Sequence, residues 1–158
     1  MPKAGEHAVK IAVAADSAGV ALKDELKDLL RADGRITEVR DLGVPDAADD
    51  RAYPLLGIAA AEEVAAGEVE RAVLVCGTGI GMCISANKVA GVRATVAHDS
   101  YSAERSVKSN DCQVLTMGAR VIGPELAKRI VAEWIGHVFD PGSASAAKVA
   151  RISDYEQA

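Results

Sequence analysis

No basic tract in this 158-residue chain is dense enough to hold a phosphate backbone by counterion release, and the net charge is -5. Nucleic acid is therefore not an expected partner. No apolar run approaches the roughly 20 residues that cross a bilayer. Residues 1–8 mix charged and small side chains without a signal-peptide core. The expectation is a cytoplasmic protein with no membrane partner and with residues 1–8 disordered. Cysteine is scarce too: Cys76, Cys83 and Cys112 form no CxxC pair and no ligand cluster with His7, His98 and His137. Neither a zinc site nor a disulfide framework is expected, and Cys83 and Cys112 read as buried filler. The length suits a single domain, burying roughly 70% of the surface of its unfolded chain.

What the chain does contain is an alternation. Val9 to Ala15 is an apolar run ending at Asp16-Ser17-Ala18-Gly19, a buried strand and its turn. Leu22, Leu26, Leu29 and Leu30 fall on one 3.6-residue stripe, a helix that Asp33-Gly34 ends. Ile36 to Val39 alternates as an edge strand does, and 43–50 is rich in turn residues. Pro54 opens a helix running to about Ala66, stopped by Gly67, and Arg71 to Val75 is a third strand. A helix over Met82–Lys88, a strand over Val92–Ala97, and a helix over Tyr101–Ser109 capped by Ser100 follow. A strand over Val114–Met117 and helices over Pro124–Trp134 and about Ser145–Gln157 complete the chain. Five such alternations predict an α/β fold, a five-stranded parallel sheet with helices on both faces.

Sheets of that kind bind ligands beyond the carboxyl ends of their strands. One rim then collects Asp16-Ser17, Cys76 to Gly81, His98-Asp99 and Gly118-Ala119-Arg120. In Cys76-Gly77-Thr78-Gly79-Ile80-Gly81, a glycine loop opening a helix turns backbone N–H groups toward one spot, which suits an anion. A thiol, with a reference pKa of about 8.5, becomes a base near neutral pH when a helix N-terminus or a cation stabilises its thiolate. The N–H groups of Gly79, Ile80 and Gly81 are placed to stabilise an oxyanion beside Cys76, and the Thr78 hydroxyl to shuttle a proton. Together they suit proton abstraction next to a carbonyl, giving an enediolate. Two other readings stand beside this one. Cys76 also fits inert packing at a strand end. The glycine spacing is also similar to a dinucleotide turn with Asp99 about 20 residues on, although the third glycine is one residue early and the loop follows the third strand. Taken singly, His98 and Arg120 read as solvated rim residues.

From Ile11 to about Ile152 the chain resembles the family of type B ribose-5-phosphate isomerases and galactose-6-phosphate isomerases. The resemblance lies in Asp16-Ser17-Ala18-Gly19, Cys76 to Gly81, Ser85-Ala86-Asn87-Lys88, Gly91-Val92-Arg93-Ala94, His98 to Ala103, Ser109-Asn110-Asp111 and Gly118 to Gly123. It implies a Rossmann-like three-layer fold and a homodimer with active sites at the subunit interface, with a dimer of dimers as a further option. It also implies no metal or other cofactor, and aldose-ketose isomerisation of a phosphosugar through a cis-enediolate. Cys76 matches the family's base, Thr78 its proton-handling hydroxyl, and Gly77, Gly79, Ile80 and Gly81 belong to its oxyanion hole. Asp16, grouped with the catalytic residues, and Asn110 match contacts to sugar hydroxyls. Ser17 and His98 complete the expected substrate-binding set with Arg120 and Lys148, which match basic phosphate ligands. The tail over about 137–158 is expected to pack on the partner.

The departures point to the substrate. Ser17 stands where the ribose enzymes have a phosphate-contacting histidine, and Ser109 where many have a histidine credited with opening the furanose ring. A C-terminal arginine pair is reduced to Lys148 amid Ser143, Ala144, Ser145 and Ala146. A tetrose 4-phosphate has its ring-closing hydroxyl esterified, stays acyclic and needs no ring opening. Asp16-Ser17 and Phe139-Asp140-Pro141 are similar to the branch that interconverts D-erythrulose 4-phosphate and D-erythrose 4-phosphate. The alternatives are ribose 5-phosphate and ribulose 5-phosphate, with His98 or a water assisting ring opening, and a non-catalytic phosphosugar-binding subunit.

Overall fold

A strand apolar on both faces belongs in the middle of a covered parallel sheet, and the two most apolar runs of the chain lie there side by side. The computed structural model describes residues 8–158, so the expectation for residues 1–7 lies outside them. The two central runs are β1 (Val9–Ala15) and β3 (Arg71–Cys76). With β2 (Ile36–Asp41), β4 (Ala94–Val96) and β5 (Val114–Gly118) they form one sheet in the order β2-β1-β3-β5-β4. All four pairings are parallel. The half-covered strand expected from Ile36 is indeed an edge, and it runs on to Asp41. At the other edge β4 has three residues instead of the expected six, because Arg93 turns out of the ladder. Its N–H donates to Gln113 Oε1 (2.8 Å) and its guanidinium bonds Asp111.

Helices α1 (Val20–Ala32), α4 (Ser100–Lys108) and α5 (Pro124–Ile135) cover one face, around a core that includes Leu26, Leu30, Met117 and Trp134. Helices α2 (Tyr53–Ala65) and α3 (Ile80–Ala86) cover the other, over Leu56, Leu74 and Met82. Helix α6 (Ala146–Gln157) buries only Val149. Helix α3 begins two residues before the expected start, with Gly79 as its N-cap. Asp99 caps α4 in place of Ser100, because its side chain accepts the Ser102 N–H at 2.7 Å.

Two buried polar contacts brace this frame. The Arg71 guanidinium lies over the Trp134 ring at 4.9 Å and donates to the Trp134 carbonyl at 2.7 Å, satisfying the end of α5. Lys23, with a side chain 2% exposed, donates to Asp41 Oδ2 at 2.8 Å and to the Val44 carbonyl. Lys23 also meets Asp24 at 3.1 Å and Asp41 also meets Lys27 at 2.8 Å, so the charges form a small network in which neither depends on a single partner. This clamp fixes the loop after β2 that carries the chain to Tyr53.

The chain leaves β1 for β2 on one side and returns to β3 on the other, so a crevice opens between the carboxyl ends of β1 and β3.

Candidate active site

Three loops meet at that crevice because glycines let their backbones touch. A Cβ on Gly19 would lie 2.5 Å from the Val75 carbonyl oxygen, so the turn after β1 is pressed against the end of β3. A Cβ on Gly118 would lie 2.5 Å from Thr78 Cα, so only glycine lets the end of β5 pass under the Cys76 loop. The turn after β5 is also stitched to that loop. The Ala119 N–H donates to the Cys76 carbonyl at 2.8 Å and the Arg120 N–H to the Gly77 carbonyl at 3.0 Å.

The result is a cleft of about 550 Å³ lined by Asp16, Ser17, Cys76, Gly77, Thr78 and Arg120, with Ile80, Gly81 and Ile84 along α3. Cys76 ends β3 and is 4% exposed. The Gly79 N–H donates to its Sγ at 3.1 Å, a bond that strengthens when the sulfur carries charge. Gly79 holds φ at +80°, the left-handed region, which turns the chain into α3. The Ile80 N–H is taken up locally by Thr78 Oγ1 at 3.2 Å. The Gly81 and Met82 N–H groups precede the first intrahelical bond, from Cys83 N–H to the Gly79 carbonyl. Of the three expected oxyanion donors, Gly81 therefore faces no helical acceptor, while Gly79 serves the sulfur.

Asp16 is fixed by its own turn, its Oδ1 accepting the Ala18 and Gly19 N–H groups at 3.1 and 3.2 Å. Ser17 is exposed beside it. The Arg120 guanidinium lies over Gly77, where an added Cβ would be 3.0 Å from Nη1. Thiol, loop N–H groups, hydroxyl, carboxylate and guanidinium thus share one cleft.

Besides Gly79, which reaches the site only through its N–H on the Cys76 sulfur, three expected residues do not line it. His98 is engaged as a brace: its Nε2 accepts the Gly118 N–H at 2.9 Å, which requires a neutral imidazole. Burial lowers its pKa below 6.5, the nearby Asp99 only partly opposing. Asn110 lines a second cavity of about 480 Å³ with Asn87, Arg93, Thr95, Ser102 and Arg105. Lys148 is exposed near the start of α6. Sequence reasoning missed Tyr53, whose ring packs on Gly81 and lines the cleft; an aromatic directly before the Pro54 helix start was the available signal. It also gave no notice of Arg105, which lines the second cavity with a buried Nε that has no acceptor among the described residues. The other thiols are unsuited to act as bases. Burial pushes Cys112 up to about 12, and burial raises Cys83 as well. Cys83 is half-buried rather than fully buried, as expected of filler. Among the described residues no group of three or more His, Cys, Asp or Glu side chains comes together to hold a metal ion.

The chain is similar along almost its whole length to proteins of known kind. A D-erythrulose-4-phosphate isomerase 2 of Mycolicibacterium smegmatis is 54% identical over 151 residues, covering 96% of this chain and 99% of that relative. A D-erythrulose-4-phosphate isomerase of Pectobacterium atrosepticum is 46% identical, covering 94% and 95%. The solved structure of Clostridium thermocellum ribose-5-phosphate isomerase B superposes with a TM-score of 0.88 at 40% identity, covering 94% of this chain and 97% of that one. The Ribose/Galactose Isomerase family model matches residues 11–152, and the chain belongs to that family.

Proposed function

We propose that the chain is an aldose-ketose isomerase that interconverts D-erythrulose 4-phosphate and D-erythrose 4-phosphate with Cys76 as base. The observation that carries this reading is the Cys76 sulfur, held by the Gly79 N–H in a cleft that also presents Thr78 and Arg120. In the ketose-to-aldose direction the Cys76 thiolate removes a proton from C1. The C–H electron pair becomes the C1=C2 double bond, and the C2 carbonyl oxygen becomes an oxyanion beside the loop N–H groups. The Thr78 hydroxyl passes the O1 proton to O2, and Cys76 returns its proton to C2. The C1 oxygen is then the aldehyde.

The tetrose rests on Ser109, which supplies no ring-opening imidazole, on Ser17, which supplies no phosphate-contacting one, and on the activities of the two relatives named above. The similarity to ribose-5-phosphate isomerase B favours the pentose as a second reading. The working unit is a homodimer with no metal requirement, one catalytic domain per chain and a cytoplasmic location, with α6 packed on the partner. Asn110 and Lys148, which lie off the chain's own cleft, then complete the partner's.

Two measurements test this. In deuterated solvent the substrate takes up deuterium at C1 or C2, whereas a mere binder exchanges nothing. Cys76→Ala remains folded and loses about 10²- to 10⁴-fold in kcat; wild-type turnover in that variant would remove the thiol from the mechanism. A higher kcat/KM on ribose 5-phosphate than on D-erythrulose 4-phosphate would overturn the tetrose.

A further inference from the structure

The Cys76 cleft carries one cation, Arg120, against one carboxylate, Asp16. A phosphate monoester brings a charge of about -1.5 to -2 at neutral pH, and the enediolate adds negative charge during the reaction. One chain's cleft therefore lacks positive charge for its proposed ligand. The second cavity holds two arginines, and they differ. Arg93 is committed to its own chain, with Nε donating to the Asp111 carbonyl at 2.8 Å and Nη2 to Asp111 Oδ2 at 3.0 Å. Arg105 has a buried Nε with no hydrogen-bond acceptor among the described residues. Its remaining contacts are weak: an exposed pair with the adjacent Glu104 at 2.8 Å and a long 3.4 Å approach of Nη1 to Ser109 Oγ. A buried N–H without an acceptor is costly, and an anionic oxygen relieves that cost.

The neighbouring turn carries a second signal. Asp111 has φ +50°, the one left-handed residue other than glycine among those described. Such strain is held where the surrounding structure fixes it, often beside a ligand. It sits directly after Asn110, which lines the same cavity as Arg105.

We infer that Arg105 is the second phosphate-holding cation of the isomerase site, presented with Asn110 to the Cys76 cleft of another copy of the chain. This rests on the isomerase reading and adds to it a specificity-determining residue. Arg105 does not line its own chain's cleft but shares a cavity with Asn110, which the proposed homodimer presents to the partner's cleft, so Arg105 is carried there with it. There it exchanges the exposed Glu104 contact for the phosphate oxygens, with Arg120 on the other side.

Arg105→Gln should raise KM for D-erythrulose 4-phosphate about 10- to 100-fold, more than it lowers kcat, and weaken competitive inhibition by inorganic phosphate in proportion. Arg105→Lys should recover part of the loss, since it restores charge without the planar fork. Mixed dimers of Cys76→Ala and Arg105→Gln chains decide whether the residue acts across the interface. One of their two sites has both groups intact and shows the wild-type KM. Unchanged KM and phosphate inhibition in Arg105→Gln overturn the inference, as does a raised KM that persists in the mixed dimers. Thermal stabilisation by inorganic phosphate separates this from the isomerase reading, because it needs no turnover. It is expected in Cys76→Ala and reduced in Arg105→Gln. A wild type that turns over no phosphosugar but keeps this pattern would sink the isomerase reading alone; equal stabilisation of both variants would sink the role of Arg105.

Discussion

The two cavities are built from different material. The Cys76 cleft is walled largely by backbone: the loop from Gly77 to Gly81, the turn after β1 and the end of β5, pressed together at van der Waals limits. The cavity beside α4 is walled by side chains, among them Arg93, Arg105, Asn87 and Asn110. Backbone N–H groups hold any oxyanion and cannot be exchanged by substitution, whereas an arginine or a serine can. The glycine loop of the first cavity therefore suits the chemical step, and the side chains, Ser17 and Arg120 at its rim with those of the second cavity, suit the choice of sugar. Substitutions that move the loop should act on kcat, and those of the second cavity's side chains on KM.

The largest effect expected away from the reacting groups comes from breaking the backbone cleft. In Gly118→Ala the new Cβ meets Thr78 Cα at 2.5 Å and the Gly77 carbonyl oxygen at 2.8 Å, both backbone atoms with no rotamer to change. The loop has to shift. A fall in kcat of about 10²- to 10³-fold is expected, as for losing an oxyanion donor, with KM changed far less. Stability should fall by about 1–3 kcal/mol, measured as a urea midpoint. A variant with normal kcat would show that the loop's fixed position is not what the chemistry uses.

A smaller effect sharpens the boundary between the regions, because His98 braces the backbone cleft from β4 without lining it. Burial holds its pKa below 6.5, so the folded protein binds fewer protons than the unfolded chain between that lowered value and 6.5. The stabilisation is fully present above pH 6.5 and is lost as pH falls through the lowered value. Protonated His98 also cannot accept the Gly118 N–H. Wild-type kcat should show an acid limb below pH 6.5 of about fivefold, the worth of one hydrogen bond. Asp99 opposes the shift, and its own carboxyl is held low by the Ser102 backbone N–H, so it stays charged across this range. His98→Gln retains an acceptor that does not titrate and should lose the limb; identical acid limbs in the two proteins would remove His98 from the brace.

The backbone cleft was the legible half. Alternating apolar runs placed β1, β3 and β5, and the spacing of Gly77, Gly79 and Gly81 placed the loop, because local sequence dictates both. Strand order is not local. Nothing between Ala97 and Gly118 says that β4 returns to the outer edge of β5, yet that order sets His98 Nε2 against the Gly118 N–H and takes the imidazole off the cleft wall. Helix α4 shows the same limit. Its period predicts a helix over Arg105, but the cavity that Arg105 lines is closed by Asn87, Arg93 and Ile152, which lie far away in sequence. Val92 and Arg93 read as strand by composition, and the Arg93 contacts to Gln113 and Asp111 draw them out of the sheet.

The smallest expected effect tests whether thiol chemistry belongs to one region alone. All three cysteines are free, and residue type does not separate them; environment does. Cys76 meets the Gly79 N–H at the mouth of the loop. Cys112 lines the side-chain cavity, where burial pushes its thiol up to about 12 and leaves it protonated at neutral pH. Cys83 is raised in the same way, and its Sγ contacts the Ala94 carbonyl at 3.4 Å, the contact expected of a thiol rather than a thiolate. Cys112→Ala should lower stability by about 1 kcal/mol through lost packing and leave kcat where it was. Cys83→Ala should change less still, since its site is half-open. If either matched the kcat loss of Cys76→Ala, the base would lie outside the backbone cleft, and the division of labour between the two cavities would fail.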